Sequence, residues 1–177
     1  MKVIAFVIFV VSLSFVIRFN TFSQINYSSV RFDYSIQVPK GFQTTEITGE
    51  NVDFKCVSAQ GDAVIMIDVR EIKGDEKYTL GDLGLDKITP EKWEEQLSRK
   101  LPEPRFVKSG STNLGKLPAF FIHITAKPDN ESIVYNIFYY TIYDNRIITI
   151  SAACNENSLP LYNGKFFSTI QSFKISD

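Results

Sequence analysis

The chain has 177 residues, 44% of them hydrophobic and 22% charged, with 19 basic and 20 acidic side chains and a formal net charge of -1. That length suits one domain with a sizeable core rather than two, and 14% aromatic residues exclude a disordered chain. With no basic excess to neutralise phosphates, nucleic acid is not expected as a partner.

The chain opens on "MKVIAFVIFVVSLSFVIRFNTFSQ". Lys2 supplies a positive start, and Val3 to Ile17 form an apolar run of the length of a signal h-region. Thr21 and Ser23 stand at -3 and -1 of a cut before Gln24, where a peptidase needs small side chains. The run is short for a spanning helix, which needs about 20 apolar residues. Residues 1–23 therefore read as a signal peptide and 24–177 as a single exported domain, periplasmic or secreted. Cleavage would remove Lys2 and Arg18 and no acid, taking the formal charge from -1 to -3. Contact with a membrane is expected only through an uncleaved signal.

In "SSVRFDYSIQVPKGF", Phe32, Tyr34, Ile36 and Val38 alternate with polar residues, the period of a half-buried strand, and Pro39 and Gly41 end it. "NVDFKCVSA" alternates again, and Gln60-Gly61-Asp62 follows as a hairpin turn. "AVIMIDVREI" is apolar on both sides in its first half, which predicts a central strand covered on both faces. "KGDEKYTLGDLGLDKI" reads as a loop. In "TPEKWEEQLSRKL", Thr89 can cap, Pro90 suits the first helical position, and Trp93, Leu97 and Leu101 make one apolar stripe before Pro102 and Pro104 stop the helix. "RFVKSGSTNL" leads to a turn at Gly115. Then "PAFFIHITAK", "IVYNIFYYTIY" and "RIITISAAC" follow as long strands joined by short turns, an antiparallel meander. Ser158 and Pro160 open a last helix in which Leu159, Tyr162, Phe166, Ile170 and Phe173 recur every three or four residues as a packing face.

The early "FDYSIQVPKGF", the strand entry "GKLPAFFI", and "ITISAAC" followed by a helix and "IQSFKI" resemble the PsbP-like superfamily over about residues 30–175. Its members include the extrinsic photosystem II protein of chloroplasts and many exported bacterial proteins. The resemblance implies an α+β fold, a central antiparallel sheet with helices on both faces in an α/β/α sandwich. It implies no enzyme activity and carries over no site residue, and a photosynthetic role does not follow from a fold.

The residues that could carry chemistry are few. His123 is the only histidine and sits mid-strand, where a packed or hydrogen-bonded imidazole is the expected role. No G-x-S-x-G elbow, phosphate loop or paired Cys spacing accompanies it. Asp75, Glu76, Asp82 and Asp86 share a loop without EF-hand spacing and with Lys73, Lys77 and Lys87 among them, so a solvated loop is expected rather than a calcium site. Cys56 and Cys154 are the only cysteines, and export would permit a disulfide between them; buried free thiols are the alternative. In "IVYNIFYYTIY", Tyr135, Tyr139 and Tyr143 share a face with Ile137 and Thr141, while Val134, Phe138, Tyr140 and Ile142 share the other. With Trp93, these tyrosines form a candidate ligand or partner surface, since tyrosine joins an apolar ring to a polar tip. No catalytic residue, metal ligand or cofactor is assigned. The sequence thus predicts an exported, non-enzymatic binding or scaffold domain. The alternative is a carrier of a small apolar ligand held between the sheet and the Trp93 helix; a hydrolase is the weaker reading.

Overall fold

A computed structural model describes residues 25–47, 49–74, 76–128 and 132–176. The expected signal peptide, its expected cleavage site and Asp75 lie outside the described residues. Ten strands are present: β1 (Ile25–Ser28), β2 (Tyr34–Val38), β3 (Phe42–Thr44), β4 (Val52–Ser58), β5 (Ala63–Glu71), β6 (Arg105–Leu114), β7 (Leu117–Ala126), β8 (Val134–Tyr143), β9 (Arg146–Asn155) and β10 (Lys174–Ile175). Among the described residues two α-helices join these strands, α1 (Pro90–Leu97) and α2 (Leu159–Gln171). Seven strands form one sheet in the order β3-β4-β5-β9-β8-β7-β6, and three form a second in the order β1-β2-β10; every pairing is antiparallel.

The meander β7 to β9 forms as its pattern predicts, and β6 extends it by one strand. Gly115 turns β6 into β7 at φ +59°. Asp144 and Asn145 both hold positive φ, +48° and +54°, the backbone that a two-residue hairpin matched to strand twist requires. Asn145 also holds the segment before α1: its amide donates to the Glu76 carbonyl at 2.8 Å, and its oxygen accepts from the Tyr78 N–H at 3.1 Å. The segment read as an open loop carries two 3-10 turns, Leu80–Leu83 and Leu85–Lys87. Leu80, Leu85 and Ile88 from it pack beside Trp93. Asp82 is occupied within its own turn, accepting from the Thr79 N–H and hydroxyl at 2.7 Å each.

Thr89 caps α1 by accepting from the Lys92 N–H. The helix ends at Leu97 rather than at Leu101, yet Leu101 still packs with Leu97 in the Trp93 cluster. Ser158 does not cap α2 through its side chain; a 3-10 turn, Glu156–Ser158, runs into the helix instead, with Asn155 accepting from the Asn157 N–H. The stripe on α2 is buried: Tyr162, Phe166 and Ile170, with Phe173 just beyond, join β2, β4, β5, β8 and β9 in the main core. The Tyr162 hydroxyl donates to Asp62 at 2.6 Å, and the Ser58 hydroxyl bonds the same carboxylate oxygen at 2.7 Å, so α2 is tied to the β4–β5 hairpin. The short sheet is tied in by Asp53, whose carboxylate accepts from the Tyr34 hydroxyl at 2.7 Å while its backbone carbonyl accepts from Tyr27 at 2.8 Å. A second cluster joins Trp93 to Phe120, Ile122 and Ile124 of β7. These three alternate along β7 with Ala119, which belongs to the main core.

Of the two readings open for the cysteines, the disulfide is the one the structure contradicts. Cys56 and Cys154 are free and buried. Cys56 pairs with Ile65 and Cys154 with Ala63, so β5 runs between them. Two strand spacings put their backbones about 10 Å apart, beyond the roughly 7 Å a bridge allows. Burial holds the Cys56 thiol up at about 12 and the Cys154 thiol at about 11, so both stay protonated. We expect both cysteines to label with a thiol reagent once the protein is unfolded without reductant, and neither to label quickly while it is folded. A mass corresponding to an oxidised pair would contradict the strand order.

Candidate functional site

Strand alternation divides the expected surface. Tyr135 and Tyr139 face the main core, with Tyr139 buried and Tyr135 partly so. Trp93 packs on the other side of the same strands, stacked on Phe120 and Tyr140 at centroid distances of 6.3 and 6.5 Å. Tyr143, at the end of β8, is 37% exposed and lines a separate hollow with Leu114, Leu117 and Ile175. The four residues grouped from sequence therefore do not form one surface. A spacing pattern assigns faces within a strand, but it cannot say which helix covers each face.

On the side of α2, a cavity of about 330 Å³ lies beside β6, lined by Lys108, Thr112, Phe121, His123, Asn163 and Phe167 among others. His123 Nδ1 lies 2.9 Å from the Tyr135 hydroxyl. The imidazole meets Phe121 and Tyr135 edge to face. Burial, and secondarily the Lys108 ammonium, push His123 down to about 4, so it is neutral near pH 7. Burial likewise raises Tyr135, so its phenol keeps its proton and can donate to Nδ1. Gly110 permits this floor: a Cβ there would stand 3.1 Å from the Phe121 ring.

On the opposite side, a cavity of about 480 Å³ lies between the sheet and the segment of α1 and the 3-10 turns. Met66, Leu85, Leu97, Leu101, Phe138 and Ile147 supply most of its wall. Lys100 and the Arg70–Asp68 pair, bonded at 2.8 Å, are its charged members. Tyr140 joins this wall to Trp93, and burial raises its phenol to about 12. The indole Nε1 of Trp93 is buried without a hydrogen-bond partner. Among the described residues, no group of three or more His, Cys, Asp or Glu is placed to hold a metal ion. No helix among them is long and apolar enough to cross a membrane. The Lys108–Phe167 cavity escapes sequence reasoning because it forms between β6 and α2, which no local pattern brings together; Phe167 lies off the apolar stripe and is 59% exposed.

No protein-family model and no curated protein matches the chain in sequence. Solved structures match it in shape. Cyanobacterial PsbP (CyanoP) from Synechocystis sp. PCC 6803 superposes with a TM-score of 0.63 at 16% identity, covering 85% of this chain and 91% of that one. LpqN, involved in cell envelope biogenesis of Mycobacterium tuberculosis, gives 0.64 at 11% identity, covering 88% and 86%. The Ran-binding protein Mog1p of Saccharomyces cerevisiae gives 0.57 at 11% identity, covering 87% and 96%. The chain has a PsbP-like fold, as the sequence resemblance implies.

Proposed function

We propose that this chain is an exported, non-enzymatic binding domain, with residues 24–177 as its working unit and the two helices as outer layers of an α/β/α sandwich. The observation that carries the non-enzymatic reading is the state of its only imidazole: neutral, 8% exposed, held by Tyr135 and walled by Phe121. A general base needs a proton acceptor set beside a nucleophile. Both thiols here are buried and protonated. Proteins of the same fold bind Ran or act in the cell envelope, which agrees with a binding role but names no partner for this chain. The test is His123→Gln, which keeps a hydrogen-bonding side chain. An enzyme using this imidazole would lose its activity by orders of magnitude in the folded variant, and such a loss would end this reading, whereas binding should change by no more than about a few-fold. Export predicts an intact mass, from the native host, that begins near Gln24. Retention of residues 1–23 in a membrane fraction would make the protein anchored instead.

The 480 Å³ cavity favours a second reading, a carrier of a small apolar ligand, because it falls within the size range of ligand pockets and its wall is mostly aliphatic and aromatic. Trp93 is the only tryptophan, so its fluorescence reports on this side alone. A saturable change in Trp93 emission with a medium-chain fatty acid, abolished in Leu97→Trp read by a displaced dye, is the expected result. A flat titration would leave the cavity without this role.

A further inference from the structure

The seven-stranded sheet ends on two unlike edges. β3 has three residues, whereas β6 has ten. Long open edges invite pairing, and proteins usually blunt them. β6 is blunted only where it begins. Glu94 Oε1 accepts from the Phe106 N–H at 2.8 Å, Glu94 Oε2 lies 3.6 Å from Arg105, and the register shifts between Phe106 and Lys108. From Lys108 to Asn113, among the described residues, the backbone bonds only to β7. Six residues of open strand span about 20 Å.

The groove beside this edge has a definite chemistry. Lys108, Gly110 and Thr112 point to the α2 side, and Phe167 on α2 stands opposite, 59% exposed. Phe121 and His123 form the floor, and because residue 110 is a glycine nothing projects over Phe121. No carboxylate lines the cavity, and β6 carries Arg105 and Lys108 with no acid. A strand laid against β6 turns every second side chain toward this groove.

We infer that β6 and its groove take an extended segment of a partner protein, added as a further strand, with one apolar side chain between Phe121 and Phe167 and a carboxylate two residues away beside Lys108. A second copy of this chain is the poorer occupant, because antiparallel pairing over the open stretch sets Lys108 opposite Asn113 and its β6 offers no acid to answer the ammonium. The inference rests on the binding-domain reading and gives it a partner class and a surface.

The probe is a synthetic peptide of about ten residues, alternating threonine and valine, with one phenylalanine and one glutamate two positions apart. Hydrogen–deuterium exchange of the full chain should slow at Lys108–Asn113 when it binds. The affinity should fall tenfold or more for a lysine-for-glutamate probe or for Lys108→Glu, and the two changes together should restore it. Phe167→Ala, an exposed position, should weaken binding without moving the melting temperature. N-methylation of alternate amides should abolish binding in one of its two phases, since only one set faces the edge. The inference is overturned if exchange at Lys108–Asn113 is unchanged at about 1 mM probe, if both N-methylated probes bind like the parent, or if sedimentation shows that a second copy fills the edge. The broader binding reading survives such a failure if Trp93 still reports a saturable ligand, and falls separately if the folded protein shows a turnover that His123→Gln abolishes.

Discussion

Phe166→Ala should destabilise the protein by about 3–5 kcal/mol, a large share of the 5–15 kcal/mol typical of a domain. Phe166 is fully buried and sits at the centre of the α2 stripe. It stacks on Tyr162 at 5.9 Å and meets Phe42 edge-on at 6.5 Å. Removing the ring takes contacts from α2, from β3 and from the sheet below, and neighbours tied by the Tyr162–Asp62 bond cannot easily close the gap. The adjacent Phe167→Ala is the control, since it removes a ring of the same size from solvent and should change stability by less than about 0.5 kcal/mol. Urea unfolding of both variants decides the matter. An unchanged midpoint for Phe166→Ala would mean that α2 does not pack as described, and any partner binding should disappear together with the cooperative transition.

Acid should weaken the fold through His123. Its pKa is near 4 in the folded protein, against an ordinary 6.5. Between those values the unfolded chain binds a proton that the folded one refuses, so unfolding gains as pH falls. The contribution is fully present above about pH 6.5, is lost progressively down to about pH 4, and changes no further below that. At about 1.4 kcal/mol per unit, the fall from 6.5 to about 4 makes the loss from this group at most about 3.5 kcal/mol. His123→Gln cannot take up that proton, so its stability should fall less steeply across the same window. Parallel denaturation curves at pH 7, 5.5 and 4 test this; equal slopes for the two proteins would mean that the imidazole is already solvated in the folded state.

Much of the fold is legible along the chain because alternation and helical spacing are local properties. β2, β4, β5 and the meander β7 to β9 read directly from side-chain pattern, and the burial of Tyr162, Phe166, Ile170 and Phe173 follows from spacing alone. β1, β3 and β10 do not read in this way. They hold four, three and two residues, too few to show a period, and each exists through the strand beside it. The Trp93 helix is plain in its cap and its proline, but its last turn stops at Leu97, where tertiary contacts with Leu101 no longer need helical backbone.

The longer elements, their apolar faces and a resemblance that the superposed structures match are legible in the amino-acid order, since alternation and helical spacing depend on neighbours within a few residues. Only the tertiary structure decided what depends on strand order. Placing β5 between β4 and β9 separates Cys56 from Cys154, and leaving β6 unpaired opens an edge beside Phe167. Dividing the side chains of β7 and β8 between two separate clusters parts Trp93 from Tyr135 and Tyr139. Those distances are set by which strands lie side by side, and no local pattern encodes that choice because strands of similar composition can pair in many orders.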